Sequence, residues 1–529
     1  MALDTGGPVT TQKARAEKVW QKRGVWDGYI KDAYDYALPH RLSGGQAPSG
    51  AATDKLFDMT APMGAMYFAG NLQKDLFPPA SSKFSFAPGP LLQARMPAKE
   101  LIVAERMLQG ISKRIDPFFQ AGDFDTAANE ACWDLGIGTG AIMPVRGDKH
   151  QPLFFINIPF QNLACEADAW GRNHFISWRQ TLTVEAIHKG FLETGKFSED
   201  FLEAVKNKPN TEVQFYQDFF KVDGGWKWVG YADKYCDEFI VEVKTRTQPL
   251  AVGRYYRAPG EPYGRGPILM ALPAIKTLNK AQELALRSAA VQLLGIWGYR
   301  SGGTFNPDMV NLGPGEFWPM MSTGGQFGAD VQRLDPATAR LDVANMVIEG
   351  MRDDIKGVLM DNRITDDGST PPSARQIVAI LQDRADANIG AYGRLSREFM
   401  PVLAPRAAEI LFEQGFLDMP LQMNELLLSV KVRSPMQTAL DARQLESTMT
   451  YFDMVAAVAG PENVDEHFNR DVALKDARDV LDLEEDIAPT ETQRKKIRAD
   501  KVEAQTMLQT MQFGLEAAKV MPDQAQGVI

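Results

Sequence analysis

The chain has 529 residues, 44 % of them hydrophobic, with 44 glycines and 32 prolines. That composition suits two to four globular domains and excludes a fibrous or wholly disordered protein. The net charge of −11 excludes a protein whose whole surface grips nucleic acid, because phosphate affinity needs clustered Lys and Arg, but not one along which nucleic acid slides.

Cys132, Cys165 and Cys236 are widely spaced with no C-x-x-C pair, which reads as free thiols in a reducing compartment. The N-terminus MALDTGGPVTTQKARAEK is polar and lacks the apolar core of a signal peptide. No run reaches the roughly 18 apolar residues of a membrane span. A soluble protein made in a cytoplasm is expected.

Residues 11–38 form the first expected helix, with Val19, Trp26, Ile30, Ala33 and Ala37 near one face. A Gly/Ser/Pro stretch at 41–54 separates it from a second helical region, 54–77, which Pro78 and Pro79 stop. A third helix is expected over 96–121. From about 140 to 256 the pattern changes to strands: AIMPVRG, PLFFINI and HFISWRQTLT carry β-branched and aromatic residues between turn signals such as DAWGRN. VQFYQDFFKVDGGWKWVGY reads as a hairpin around Asp223-Gly224-Gly225, EFIVEVKTRT continues the sheet, and a short helix at 184–194 interrupts it.

A long helix follows at about 268–296. Its apolar and small residues cover most of the circumference, and Lys276, Lys280, Glu283 and Arg287 line up as one narrow stripe. Residues 297–336 are rich in Gly, Pro and aromatics, which suits a compact insertion. A second long helix, 337–360, repeats the design, with Asp342, Asn345, Glu349, Arg352 and Lys356 as its polar stripe. DNRITDDGSTPPSA (361–374) has the marks of an exposed loop. The stretch 373–414 carries Ile377, Leu381, Ile389, Tyr392, Leu395, Phe399 and Leu403 on one side; as one helix it spans about 60 Å, bent at Pro401 and Pro405. Short helices, including 437–459 and 490–520, complete the chain.

The motifs that suggest catalysis mostly fail. GFLETGKF (190–197) has the G-x-x-x-x-G-K spacing of a phosphate-binding loop. It puts Phe197 where a magnesium-binding hydroxyl belongs, and it follows a helical rather than a strand pattern; the plain reading is a helix ending at Gly195. GIGTGA (136–141) resembles a dinucleotide fingerprint, but its glycines are misspaced, and the plain reading is a tight helix-to-strand turn. His40, His150, His174, His188 and His467 are scattered, so metal-ligand spacing is absent. The acidic pairs Asp353-Asp354 and Asp366-Asp367 and the run Glu484-Glu485-Asp486 read as solvated faces. No catalytic residue, metal or cofactor is expected.

A helix apolar around most of its girth must be surrounded, and two such helices alone cannot bury each other. Identical helix pairs from neighbouring subunits, closed into a ring, supply the missing cover; an ordinary buried bundle helix is the alternative.

The order of elements resembles the head-to-tail connector, or portal, proteins of short-tailed double-stranded DNA phages. The resemblance rests on AGNLQKDLFPPASSKFSF (69–86), LGIGTGAIMP (135–144), DAWGRNHFISWRQTLTVEAI (168–187) and PYGRGPILMALPAIKTLNKAQELALRSA (262–289). It rests also on TPPSARQIVAILQDRADANIGAYGRLSREFMPVL (370–403); where family members often have T-A-x-E, this chain has Pro372-Ser373-Ala374-Arg375. The similarity covers roughly 15–500.

The resemblance implies an α+β, mainly α portal fold. Residues 1–265 would be the wing, 266–296 and 337–360 the stem helices and 297–336 the clip. Residues 361–372 would be the tunnel loop, 373–432 the long wing helix and 433–529 the crown and tail. It implies a ring of about twelve copies at one capsid vertex of the virion, assembled in the host cytoplasm with capsid and scaffolding proteins. A terminase motor and then a tail adaptor would dock on the clip, where Trp297, Tyr299, Phe305, Phe317 and Trp318 are the candidates. Double-stranded DNA would pass the tunnel loop (Asn362, Arg363, Thr365, Asp366, Asp367, Ser369) and a stem lumen for which Lys276, Lys280, Arg287 and Lys356 are candidates. No membrane partner is implied. The competing readings are a nucleotide-dependent enzyme using 190–197 and a virion scaffold or adaptor that binds only protein.

Overall fold

The computed structural model describes residues 9–41, 56–79, 82–192, 195–235, 238–294, 296–299, 331–334, 341–361, 390–417, 428–432 and 447–458, with isolated positions beyond. The chain divides into two compact units, Met1–Met436 and Gln437–Ile529.

In the first unit, α1 (Val9–Ala37) buries Ala16, Val19, Trp20, Ile30, Ala33, Tyr34 and Ala37, the i, i+3, i+4 spacing of one helical face. Its first half packs on sheet residues Phe175, Tyr216, Phe220 and Tyr231. Its second half joins a core with Ala61, Ala65, Ile268, Ala271 and Ile275. Helix α2 (Thr60–Leu76) ends at Phe77, just before Pro78. Then come α3 (Pro90–Arg95), α4 (Ala98–Ala121) and α5 (Phe124–Ile137).

The β-region contains two larger antiparallel sheets. Strands β2 (Thr139–Arg146), β3 (Leu153–Asn157) and β9 (Ala251–Arg254) make one, in the order β3-β2-β9. The other runs β4 (Leu163–Ala167), β5 (Asn173–Thr183), β6 (Glu212–Val222), β7 (Gly225–Ala232), β8 (Val241–Thr245), and the short strands β10 (Tyr256–Arg257) and β11 (Gly264–Arg265) pair with each other. The expected hairpin is present: Val222 pairs with Gly225, and Gly224 at φ 83° supplies the left-handed conformation the turn needs. The architecture is mixed α+β.

The short helix after β5 is α6 (Val184–Gly190); it stops at Gly190 with Phe191 as its cap, not at Gly195. A further helix, α7 (Glu199–Asn207), starts where Ser198 accepts a hydrogen bond from the Phe201 N–H at 3.3 Å. Ser198 followed by Glu199 and Asp200 is a helix-start signal that the strand-rich context hides.

The expected 268–296 helix is α8 (Pro267–Leu294), followed by strand β12 (Ile296–Tyr299), which pairs with β13 (Val331–Leu334). The second long helix is α9 (Leu341–Val358). The 373–414 stretch is described from residue 390. It is helical over 390–398 (α10), breaks at Phe399, and continues as α11 (Met400–Glu413) with Pro401 in its first turn. Pro401 has no N–H to donate and crowds the preceding turn, so the break falls two residues before it. Tyr392, Leu395, Phe399 and Leu403 are buried with Phe77, Phe119, Phe124 and Phe155. The pair β1 (Phe84–Pro88) with β14 (Leu428–Val432) joins distant parts of the chain.

In the second unit, residues 447–458 form a helix, inside the expected 437–459 span. Most of the expected 490–520 helix lies outside the described residues.

Candidate functional site

The two glycine-rich segments meet at the base of α8. The Gly264 N–H donates to Thr139 Oγ1 at 2.9 Å, and the Gly266 N–H donates to the Ile137 carbonyl at 2.7 Å. A Cβ on Gly138 would lie 2.1 Å from the Gly264 carbonyl oxygen, and one on Gly266 2.2 Å from that of Gly136. The glycines of GIGTGA therefore serve close backbone approach to the lead-in of α8, a use with no nucleotide in it.

From that seat α8 buries Ile268, Ala271, Leu272, Ile275 and Leu278. Asn279, also buried, uses its side-chain oxygen to accept the Phe57 N–H at 2.7 Å and the Asp58 N–H at 3.3 Å. Asp58 in turn accepts from Thr60 N–H at 2.8 Å and from Arg352 Nε and Nη2 at 3.0 and 2.8 Å. Burial pushes the Asp58 carboxyl up, but the Thr60 and Arg352 hydrogen bonds outweigh it and hold it below its usual range. The same contacts raise the Arg352 guanidinium. This knot fastens the start of α2 to both long helices. On α9 the apolar face is Ile348 and Ile355, which with Leu359 just past the helix end packs into the same core as Ile275 and Leu278.

Beyond Lys280 the environment of α8 changes. No residue from Lys280 to Ala290 is buried, and Leu284 and Leu286 are 55 % and 50 % exposed. On α9, Met346 and Val347 are 78 % and 51 % exposed. The cations of the two polar stripes are each paired with a carboxylate. Lys276 bonds Asp32 of α1. Glu283 takes both Lys280 (2.8 Å) and Arg287 (2.5 Å), contacts that lower its carboxyl, the Lys280 hydrogen bond foremost. Lys356 bonds Asp353 at 3.2 Å and Arg352 also holds Glu349 at 2.7 Å.

The structure places Trp297 opposite Arg333 and Tyr299 opposite Val331 on the β12–β13 pair. Phe305, Phe317 and Trp318, and the loop residues Asn362, Arg363, Thr365, Asp366, Asp367 and Ser369, lie outside the described residues.

A family model described as bacteriophage head to tail connecting protein matches residues 9–488. The chain belongs to that family. It is a family of structural connectors, not of enzymes. Among solved structures, the connector is similar to a chain from the virion of a native gene transfer agent (GTA) particle, at 12 % identity and a TM-score of 0.31, covering 82 % of this chain and 95 % of that one. It is similar also to a chain from the neck of an empty GTA particle computed with C6 symmetry, at 10 % identity and a TM-score of 0.34, covering 77 % and 91 %. No curated protein matches.

In the connector, GFLETGKF leaves helix α6 rather than a strand. Its Phe197 stacks on Phe201 at 5.3 Å, and the Lys196 N–H donates to the Ile240 carbonyl at 2.8 Å. A phosphate-binding loop instead leaves a strand with its N–H groups free to face the anion. Among the described residues no group of three or more His, Cys, Asp or Glu is placed to hold a metal ion. Cys132 and Cys165 are buried free thiols, and burial pushes Cys165 up to about 12, which leaves it protonated and unreactive.

The Asp58–Asn279–Arg352 knot escaped sequence reasoning. Arg352 belongs to the polar stripe of α9, and nothing local joins it to Asp58, 294 positions away.

Proposed function

We propose that the connector assembles as a closed ring of about twelve copies at one capsid vertex and conducts double-stranded DNA during packaging and ejection. The observation that carries this reading is the uncovered outer half of α8: Leu284 and Leu286, with Met346 and Val347 across on α9, remain half-exposed or more in a single copy. Full burial of a Leu or Met side chain is worth about 1.5–3 kcal/mol, so covering the exposed half of each leucine gives about 1 kcal/mol, and a ring repeats that gain at every junction. Head-to-tail closure lets one face of the helix pair of each copy cover the opposite face of the next.

In this reading residues 1–265 with 373–432 are the wing, 266–296 and 337–360 the stem, 297–336 the clip and 433–529 the crown. The clip docks the terminase motor and then the tail adaptor, with Trp297, Tyr299, Phe305, Phe317 and Trp318 as contact candidates; capsid and scaffolding proteins surround the ring. The loop 361–372, with Asn362, Arg363, Thr365, Asp366, Asp367 and Ser369, reaches toward the DNA. Lys276, Lys280, Arg287 and Lys356, each already paired with a carboxylate, offer the phosphate backbone weak and replaceable contacts. DNA then slides without being held, because affinity grows with each phosphate neutralised.

Electron microscopy and native mass spectrometry of the purified connector test the proposal. A closed ring with a central channel is expected. A monodisperse monomer or dimer at high concentration, even with capsid protein supplied, would refute it in favour of a protein-only adaptor.

A further inference from the structure

Helix α1 is buried in two separate places. Its first half, through Val9, Ala16, Val19 and Trp20, packs on Phe175, Tyr216, Phe220, Val229 and Tyr231. Side chains alternate along a strand, so these residues of β5, β6 and β7 share one face of the sheet with Ser177 and Asp218. Gln12 Nε2 donates to Asp218 Oδ2 at 3.1 Å, and Trp20 Nε1 to Ser177 Oγ at 3.2 Å. Ile176, Trp178 and Phe219 have the opposite parity and enter the core that holds α8. The second half of α1, through Ile30, Ala33, Tyr34 and Ala37, belongs to that core too. Tyr34 OH fastens it there by donating to Asp134 Oδ1 at 2.6 Å, and Asp32 by accepting from Lys276.

Between the two halves the helix is bare. No residue from Gly24 to Tyr29 is buried, and Val25 and Tyr29 are 78 % and 60 % exposed. Gly24 and Gly28 both lie in this stretch. Neither has a positive φ, and a Cβ at either would meet no atom within 4 Å, so neither turn geometry nor close approach requires a glycine. Each makes its helical turn about fivefold easier to break than alanine would. The Arg23–Asp27 pair at 2.5 Å brackets Gly24, but with Asp27 half-exposed it is a weak splint. Two weak turns thus fall where the two anchorages of α1 part.

We propose that residues 9–23 form a releasable strap, hinged at Gly24–Gly28, that leaves the sheet while residues 30–37 stay seated against α8. The strap belongs to a single copy and does not depend on the ring reading. The sheet survives its release because the opposite face stays in the α8 core. Release breaks the Gln12 and Trp20 bonds, with those of Lys13 to the Asp233 carbonyl (3.2 Å), Lys22 to Glu166 (3.0 Å) and Arg23 to the Phe160 carbonyl (2.9 Å). It also returns the buried Asp218 carboxylate to water, which offsets part of that cost. The face it bares is aromatic, with Phe175, Tyr216, Phe220 and Tyr231 on the middle strands.

Hydrogen exchange of the full chain, read by mass spectrometry and corrected for intrinsic rates, tests the strap. Peptides within 15–23 are expected to open about tenfold or more as often as peptides within 30–37. Gly24→Ala combined with Gly28→Ala should make that opening rarer by about fivefold to twenty-five-fold, the weight of one or both glycine turns. Simple fraying from the N-terminus would ignore the alanine pair. Gly70→Ala, at an exposed glycine of α2 whose Cβ would likewise meet nothing, should leave the strap unchanged. Equal opening of the two halves, or a strap that opens as often with the alanine pair as without it, would overturn the hinge. So would a Gly70→Ala effect as large as that of the pair, because residues 9–23 would then exchange only when the whole unit unfolds.

Discussion

Asp218 is a fully buried carboxylate in β6 with no ion-pair partner among the described residues. Its Oδ2 accepts from Gln12 Nε2 of α1 at 3.1 Å and from Tyr231 OH at 3.0 Å. Burial pushes it up to about 6, against the hydrogen bonds from Ser177, Gln12 and Tyr231 that pull it down. In the unfolded chain an aspartate titrates near 3.9. Between those two values the folded form holds the proton that the unfolded form has lost, so stability is highest below about pH 4 on this account. It falls as pH rises through the folded value, and above it the full penalty remains. Roughly two pKa units at 1.36 kcal/mol each set that penalty at about 3 kcal/mol. Asp218→Asn keeps an acceptor for Gln12 and Tyr231 and removes the charge. Hydrogen exchange of β6 and α1 peptides, corrected for intrinsic rates, reads the opening free energy at each pH. The variant should match the parent near pH 4 and exceed it by about 3 kcal/mol above pH 7. A difference that does not vary with pH, or that shrinks as pH rises, would refute the reasoning.

The other predictions follow from the same geometry. Leu284→Glu combined with Leu286→Glu should leave the fold of the single copy within about 0.5 kcal/mol, since both side chains are half-exposed there; ring formation, read by native mass spectrometry, should be lost. Asp58→Ala leaves Arg352 and the Thr60 N–H without their carboxylate partner, while Asn279 keeps the backbone N–H groups it accepts, and should cost about 1–2 kcal/mol, at the low end because Arg352 is partly solvated. Faster exchange of the 341–358 amides would report it. Because Asp58 titrates below its usual range, its contribution is present at neutral pH and disappears as acid protonates the carboxylate. Gly253→Ala would place a methyl group 2.1 Å from the buried ring of Phe399. About 1–3 kcal/mol of overpacking should lower the thermal midpoint by about 1–3 °C in calorimetry, the small shift a unit of this size allows.

What the sequence disclosed and what it hid divide along range. Helix α1 was legible because it buries one face at 3.6-residue spacing, and strands β5, β6 and β7 because their β-branched and aromatic runs, buried on both faces along the middle of the sheet, stand between turn signals. The break at Phe399 was legible in kind, since Pro401 cannot continue the preceding turn. The pairing of Phe84–Pro88 with Leu428–Val432 was not, because strand partners more than three hundred residues apart share no local signal. The glycine clusters at 136–141 and 264–266 were each readable as turns. That they press on each other across the seat of α8 is a fact of packing alone. The Asp58–Asn279–Arg352 knot stayed hidden for the same reason: each member sits in a polar stretch that a solvated surface explains equally well.

The long helix joins the two kinds of information. Its sequence asks for cover around most of its girth, and the fold supplies that cover only as far as Leu278 and Asn279. Among the described residues the outer turns keep only partial cover through Ala281 and Ala285, which pack against the same core, and Glu283 pairs within the helix with Lys280 and Arg287. An exposed helix held only by such pairs gains a few tenths of a kcal/mol from each, too little to justify half-exposed Leu284 and Leu286 in a monomer. The same pairs leave a charge stripe nearly balanced, on the one face of the helix that was polar to begin with. Apolar flanks that need a neighbour and a polar edge that binds phosphate weakly are two separate demands on one helix. The ring proposed above would meet both, with the flanks turned to adjacent copies and the edge turned to the channel.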